Sequence, residues 1–81
     1  MSGTAAPTID HTLDASGLSC PLPILKTRKT IQAMQAGEVL KVISTDIGSQ
    51  KDIEAFCRQT GHALLGSESE AGSFIFTIRK H

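Results

Sequence analysis

Two cysteines carry the most reactive side chains of this sequence, and they stand in different settings. Cys20 lies directly before two prolines in the stretch SGLSCPLPIL, whereas Cys57 follows Phe56 in a run with helical periodicity. An unpaired cysteine on the inner face of a helix behaves as a small apolar side chain, which predicts a packing role for Cys57. We therefore expect thiol chemistry, if the protein has any, to take place at Cys20.

The prolines beside Cys20 predict that this residue lies at or next to the N-cap of a helix. Pro21 suits the first helical position, and Pro23 would lie in the same first turn. The helix dipole favours a thiolate there, but its contribution of about 0.3–1 kcal/mol corresponds to less than one pKa unit. The prolines also remove N–H donors and leave that of Leu22 among the first three residues. We interpret them as a rigid frame that directs the sulfur outward.

A rigid, accessible and modestly activated sulfur suits a carrier of a transferable group. A cysteine hydrolase would need a general base, usually histidine, and His11 is a candidate if the first strand lies beside this helix. Residues 15 to 37 hold no acid and three bases, namely Lys26, Arg28 and Lys29. These bases could dock acidic partner surfaces or form an ordinary solvated helix face, and both interpretations stay open.

Cysteine count, charge and hydropathy argue against several other classes of protein. Cys20 and Cys57 could form a disulfide by count, but the chain start resembles no secretory signal, so we expect the cytoplasm and reduced thiols. His11, His62 and His81 lack ligand-like spacing, so we expect no metal site. The formal net charge is zero, so direct nucleic-acid binding is not expected. No apolar run approaches the roughly 20 residues that would span a membrane.

The first half of the chain predicts two strands flanking one helix. Residues 1–8 are small and polar and predict a flexible tail, which leaves a single domain over residues 9–81. Residues 9–14 alternate apolar and polar side chains and predict a strand. Residues 21–36 predict a helix that ends at Gly37, with Ile24, Leu25, Thr27, Ile31 and Met34 forming its apolar stripe. The segment EVLKVISTD predicts a central strand.

The second half predicts a helix and a hairpin. GSQKDIEAFCRQTG predicts a helix with a capping box of Ser49 and Asp52 and a stop at Gly61. HALLGSES and SFIFTIRK predict two antiparallel strands joined by a tight turn. The order β-α-β-α-β-β indicates an α/β (α+β) two-layer sandwich, with both helices on one face of a mixed four-stranded sheet.

The stretch DASGLSCPLPILKTRKTI resembles the signature of the TusA/SirA-like sulfur-carrier family. That signature is an aspartate, a glycine three residues on, and Cys-Pro-x-Pro opening a helix, represented here by Asp14, Gly17, Cys20, Pro21 and Pro23. TDIGSQKDIEAFCRQTGHALL resembles the family's second helix and the segment after it. The likeness covers about residues 9 to 80.

This resemblance implies the same fold and a function for Cys20. Such proteins accept sulfane sulfur as a persulfide on the motif cysteine and pass it to a partner protein, with no metal or organic cofactor. Implied donors are cysteine desulfurases or rhodaneses, and implied acceptors are DsrE-like sulfurtransferases that serve tRNA thiolation or sulfur oxidation. Two alternatives stay open: a regulatory or interaction module, and a thiol-redox protein that uses both Cys20 and Cys57.

Overall fold

Six elements of regular structure occur in the predicted order along the chain. The computed structural model describes residues 8–81, so the expected N-terminal tail lies outside the described residues except for Thr8. The elements are β1 (His11–Ala15), α1 (Leu22–Gln32), β2 (Val39–Ser44), α2 (Ser49–Thr60), β3 (Ala63–Glu70) and β4 (Ser73–Arg79). The predicted two-layer fold class is thereby confirmed.

The four strands form one mixed sheet in the order β1-β2-β4-β3. β1 and β2 run parallel, as expected when a helix connects them, and β4 runs antiparallel to both β2 and β3. β2 is central as predicted, since its alternate residues Leu40 and Val42 have no exposed surface. The β3–β4 turn places Gly72 at φ +85°, a conformation that glycine adopts without a steric cost.

The core lies between the helices and one face of the sheet. Ile53 of α2 is fully buried against a cluster that includes Phe76 and Ile78 of β4. Burial of each such side chain contributes about 1.5–3 kcal/mol relative to leaving it exposed. Cys57 belongs to the same cluster, as predicted, whereas Leu25 of the expected α1 stripe is 52% exposed.

The first helix ends earlier than predicted. α1 ends at Gln32, although apolar spacing continues and the nearest helix-stopping residue in the sequence is Gly37. The backbone N–H of Gln35 donates to Oε1 of Glu38 at 2.9 Å, and that of Gly37 donates to the carbonyl of Lys80 at 2.9 Å. These bonds tie the segment after α1 to itself and to the chain terminus, so they replace the helical bonds that the local pattern favours.

The start of α2 also differs from the prediction, and its end agrees. Gly48 is the N-cap residue and no side-chain cap bond forms, so the capping box is wrong. The Ser49 hydroxyl instead donates to the carbonyl of Asp46 at 2.6 Å. Gly61 ends the helix at φ +84°, where its N–H donates to the carbonyl of Cys57. Asp52 is therefore free of a capping role.

Candidate functional site

Cys20 lies at the edge of the sheet where the parallel strands β1 and β2 both end. Ala15, the last residue of β1, pairs with Ser44, the last residue of β2. The two loops that leave these strands are joined, because the N–H of Gly17 donates to Oγ1 of Thr45 at 2.9 Å. Gly17 has φ +80°, so glycine at this signature position suits the loop conformation. The loop then delivers Cys20 to the start of α1.

Asp14 acts on the same loop and does not contact the sulfur. Its Oδ1 accepts a hydrogen bond from the N–H of Ser16 at 3.0 Å, which closes a local turn after β1. Hydrogen bonds from the Ser16 side chain and backbone lower the pKa of the Asp14 carboxyl below its ordinary value. The aspartate of the signature thus holds the loop that carries Cys20.

The two prolines occupy different helix positions from those predicted. Pro21 is the N-cap residue and Pro23 is the second residue of α1, so Cys20 lies one residue before the N-cap and two residues before Leu22, the first residue of the helix. The Cys20–Pro21 peptide bond is cis. The N–H of Leu22 donates to the carbonyl of Ser19 at 2.9 Å. The one donor expected to remain near the sulfur is therefore engaged by backbone, and no anion hole forms from it.

The sulfur of Cys20 opens onto a shallow groove of about 230 Å³ between the two helices. α1 contributes one wall and α2 contributes the other. The groove is lined by Cys20, Pro21, Ile24, Arg28, Asp52, Ala55, Phe56 and Gln59. Cys20 is exposed, so a visiting thiol can reach its sulfur from solvent.

A carboxylate is the closest charged partner of the Cys20 thiol. The thiol donates to Oδ2 of Asp52, in the first turn of α2, with 3.6 Å between the two heavy atoms. Partial removal of the sulfur from water, this hydrogen bond, and the charges of Asp52 and Asp46 together raise the pKa of Cys20 above its ordinary value. The expectation of a modestly activated thiol is therefore wrong for the chain alone, because desolvation and the acidic residues of α2 and its preceding loop all raise the pKa of Cys20.

The three basic residues of α1 separate into two groups. Arg28 lines the groove, and its guanidinium carbon lies 5.7 Å from the centre of the Phe56 ring, a cation–π contact. Lys26 and Lys29 are exposed and do not line the groove. A second recess of about 350 Å³ continues from Arg28 and Phe56 toward His62.

His11 cannot serve as a general base for Cys20. It begins β1, whereas Cys20 comes after the opposite end of that strand. Its Nε2 lies 3.0 Å from Oε1 of Glu38. The prediction that His11 could pair with Cys20 is wrong, because the strand direction separates the two residues.

The two cysteines are not bonded to each other. Both thiols are free, and Cys57 is buried with 5% of its surface exposed. Burial raises the pKa of Cys57 above its ordinary value. A protein that cycles a Cys20–Cys57 disulfide is therefore not supported, since one partner lies in the core.

Comparison with known proteins decides the family. Residues 11–80 match the family described as sulfurtransferase TusA. The chain belongs to this family. It is 58% identical over 71 residues to the sulfur carrier protein TusA of Allochromatium vinosum, covering 88% of this chain and 93% of that protein. It is 49% identical over 71 residues to the sulfur carrier protein TusA of Pseudomonas entomophila, and the match covers 88% of this chain and 89% of that protein.

A solved structure supports the fold of this TusA-family chain. The crystal structure of a SirA-like protein from Desulfitobacterium hafniense superposes with a TM-score of 0.74 at 25% identity. The match covers 85% of this chain and 95% of the other. The resemblance drawn from the Cys-Pro-x-Pro signature is confirmed.

Sequence reasoning missed three residues around the TusA-family cysteine. Asp52, Phe56 and Gln59 all line the groove from α2, and they lie more than thirty positions after Cys20 in the chain. Spacings of four and three residues place them on one face of a helix, but nothing local indicated that this face meets the start of α1. Within residues 8–81, no three His, Cys, Asp or Glu side chains gather into a metal-binding cluster, and no helix is long and apolar enough to cross a membrane.

Proposed function

We propose that this protein is a sulfur carrier whose Cys20 accepts sulfane sulfur as a persulfide and hands it to a partner protein. The observation that carries the proposal is the exposed Cys20 sulfur at the mouth of an open groove, within a loop and helix start that bear the family signature. Relatives that share about half or more of the aligned residues are named sulfur carrier proteins. In this proposal Asp14, Gly17, Pro21 and Pro23 hold and present the sulfur.

The loading step is an exchange between thiols. The Cys20 thiolate attacks the outer sulfur of a donor persulfide and forms a new S–S bond. The donor's own S–S bond breaks, and its electron pair leaves on the inner sulfur, which takes up a proton. In the discharge step an acceptor thiolate attacks the outer sulfur on Cys20 in the same way. No net electron transfer occurs, and the rate depends on thiolate fraction and access to the sulfur.

Protein partners would meet the surface around Cys20. Donors of the cysteine desulfurase or rhodanese type and DsrE-like acceptors suit this chemistry, and the reducing cytoplasm suits a free thiol. Leu22 and Ile47 are 44% and 85% exposed, and both flank the end of the molecule that bears Cys20. Arg28 beside the groove, with Lys26 and Lys29 on the outer face of α1, would attract acidic partner surfaces and make association salt-dependent.

Intact-mass measurement tests the carrier role directly. The protein is incubated with a cysteine desulfurase and cysteine, or with a rhodanese and thiosulfate. We expect a mass increase of one sulfur atom that is lost in Cys20→Ser and kept in Cys57→Ser. Loading that persists in Cys20→Ser, or that disappears in Cys57→Ser alone, would overturn the assignment of Cys20.

A further inference from the structure

The charge arrangement at Cys20 is the reverse of what rapid thiol chemistry requires. A thiolate is the reactive form, and cysteines that must react rapidly usually lie beside cations. Here the thiol donates to a carboxylate at 3.6 Å, and the carboxylate belongs to Asp52 on the opposite wall of the groove. This contact joins residues 32 positions apart, so the packing of α2 against the start of α1 creates it.

We infer that Asp52 keeps the unloaded Cys20 in its unreactive thiol form until a partner protein places a cationic side chain against the Asp52 carboxylate. The inference rests on the proposed carrier function and adds to it the charge of the partner and a control over when the sulfur reacts. The partner's cation is a lysine, arginine or protonated histidine that lies beside the partner's own reacting sulfur.

The charged groups that face Cys20 come from three segments. Asp52 faces it from α2, and Asp46 acts on it from the loop before α2. One oxygen of the Asp46 carboxylate, Oδ2, already accepts a hydrogen bond from the N–H of Gly48 at 3.1 Å. Arg28 of α1 lines the same groove and stacks over Phe56. The hydrogen-bonded neighbour of the sulfur is therefore an anion, and it adds to desolvation in raising the pKa of Cys20.

Docking of a partner protein on the groove shifts the protonation equilibrium of the Cys20 thiol, and the charge of the partner sets the direction. A partner that covers the groove removes water, and charges interact more strongly when water is excluded. An uncompensated carboxylate would then hold the thiol proton more firmly and would itself be costly to bury. A partner cation paired with Asp52 removes both penalties, so the Cys20 proton can leave to water and the thiolate can attack. The leaving thiolate of the donor takes up one proton, which balances the step.

This control protects the free carrier between partners. Oxidation of cysteine depends on thiolate character and exposure, and Cys20 is exposed. A sulfur that is exposed for transfer gains chemical selectivity if its thiolate form is suppressed until docking. Asp52 supplies that suppression without closing the groove.

Alkylation by iodoacetamide, a neutral reagent that needs no docking, tests the suppression. Asp52→Asn removes the charge and keeps the shape, and Glu54→Gln removes the same charge from an exposed site two residues further along α2. The rate at Cys20 is measured against pH by intact mass. We expect the Asp52→Asn profile to move to lower pH, with a several-fold faster rate at neutral pH. We expect Glu54→Gln to match the wild type and Asp52→Glu to return toward it. An Asp52→Asn profile that superimposes on the wild type overturns the inference.

A second experiment tests the partner's cation through the ratio of the protein-donor loading rate to the alkylation rate. Loading by a rhodanese with thiosulfate is compared with iodoacetamide alkylation for each variant. If a partner cation recognises Asp52, this ratio falls several-fold in Asp52→Asn and stays unchanged in Glu54→Gln. An unchanged ratio in Asp52→Asn overturns the recognition of Asp52 by the partner. Failure of the wild type to load from either a rhodanese or a desulfurase defeats the carrier function itself, whereas the alkylation profile still decides whether Asp52 suppresses the thiol.

Discussion

Two regions of this molecule treat the same functional group in different ways. At the groove mouth, Cys20 is exposed and hydrogen-bonded to Asp52, whereas at the interface of α2 with the sheet, Cys57 is buried among apolar side chains. The pKa of both thiols is raised. For Cys57 the cause is burial alone, which only unfolding removes. For Cys20 acidic neighbours add to desolvation, and in the proposed mechanism a partner's cation compensates their charge.

The largest expected effect is a loss of stability without a loss of sulfur loading when Cys57 in the core is replaced. Cys57→Ser places a hydroxyl among apolar side chains and should lower the free energy of unfolding by about 1–3 kcal/mol. Loading of the folded fraction should be unchanged. Denaturant unfolding and intact-mass loading measure the two quantities. Cys20→Ser is the control with the opposite pattern, with stability within about 0.5 kcal/mol of wild type and no loading. A loading defect in Cys57→Ser would erase the distinction between the regions.

The two prolines sharpen the comparison, because Pro23 is buried and Pro21 is exposed beside the sulfur. Pro23→Ala removes buried ring carbons, so it should cost about 1–2 kcal/mol of stability. Pro21 is exposed and lines the groove, so Pro21→Ala should slow sulfur transfer more than Pro23→Ala does. Unfolding curves and transfer rates for the two variants check this order. The reverse order would mean that presentation of the sulfur depends on core packing.

Arg28 tests whether the groove region recognises charge. Arg28→Gln should reduce the rate of loading from a protein donor several-fold at low salt, and the difference should shrink as ionic strength rises. Lys29→Gln removes the same charge from an exposed position of the same helix outside the groove, so it should reduce the loading rate less than Arg28→Gln does. Equal losses in the two variants would show that net charge, and not the position of Arg28, controls association.

The smallest expected effect lies in the pH dependence of stability. Because folding raises the pKa of Cys57, the stability that its protonated form contributes is fully present below the unfolded pKa of roughly 8.5. It is lost as the pH rises through the folded pKa. The free energy of unfolding of the wild type should therefore fall more steeply above about pH 8.5 than that of Cys57→Ala. Parallel curves for the two proteins would contradict the burial of this thiol.

The fold could be predicted because its main signals are local. β-Branched and aromatic residues mark β2 and β4, and Gly61 marks the end of α2 through a backbone angle that few other residues adopt. The end of α1 could not be predicted. Glu38 and Lys80 capture the N–H groups of residues 35 and 37, and such bonds leave no trace in helical periodicity.

The part of the candidate site at the start of α1 could be predicted from the sequence, whereas the part contributed by α2 could not. Cys20 and its prolines form a contiguous motif, so their place at the start of a helix could be inferred from the sequence. Asp52 was assigned to a capping box from its spacing to Ser49, but it faces Cys20 instead. Desolvation of the sulfur, that contact and the charges of Asp52 and Asp46 all raise the pKa of the thiol. The contact joins segments of separate elements, so it is set by how the helices pack and not by local spacing.

Because the reactive sulfur lies at the mouth of one groove, a sulfur donor and a sulfur acceptor would have to bind the same surface of this protein. A specific protein interface covers about 800 Å² on each partner, and one centred on Cys20 would take in the groove, Ile47 and the start of α1 together. A supplier and a recipient would then compete for one footprint and could not occupy it simultaneously. Each round of relay would then include a stage in which the loaded carrier is bound to neither partner, so delivery would depend on the lifetime of the persulfide in free solution.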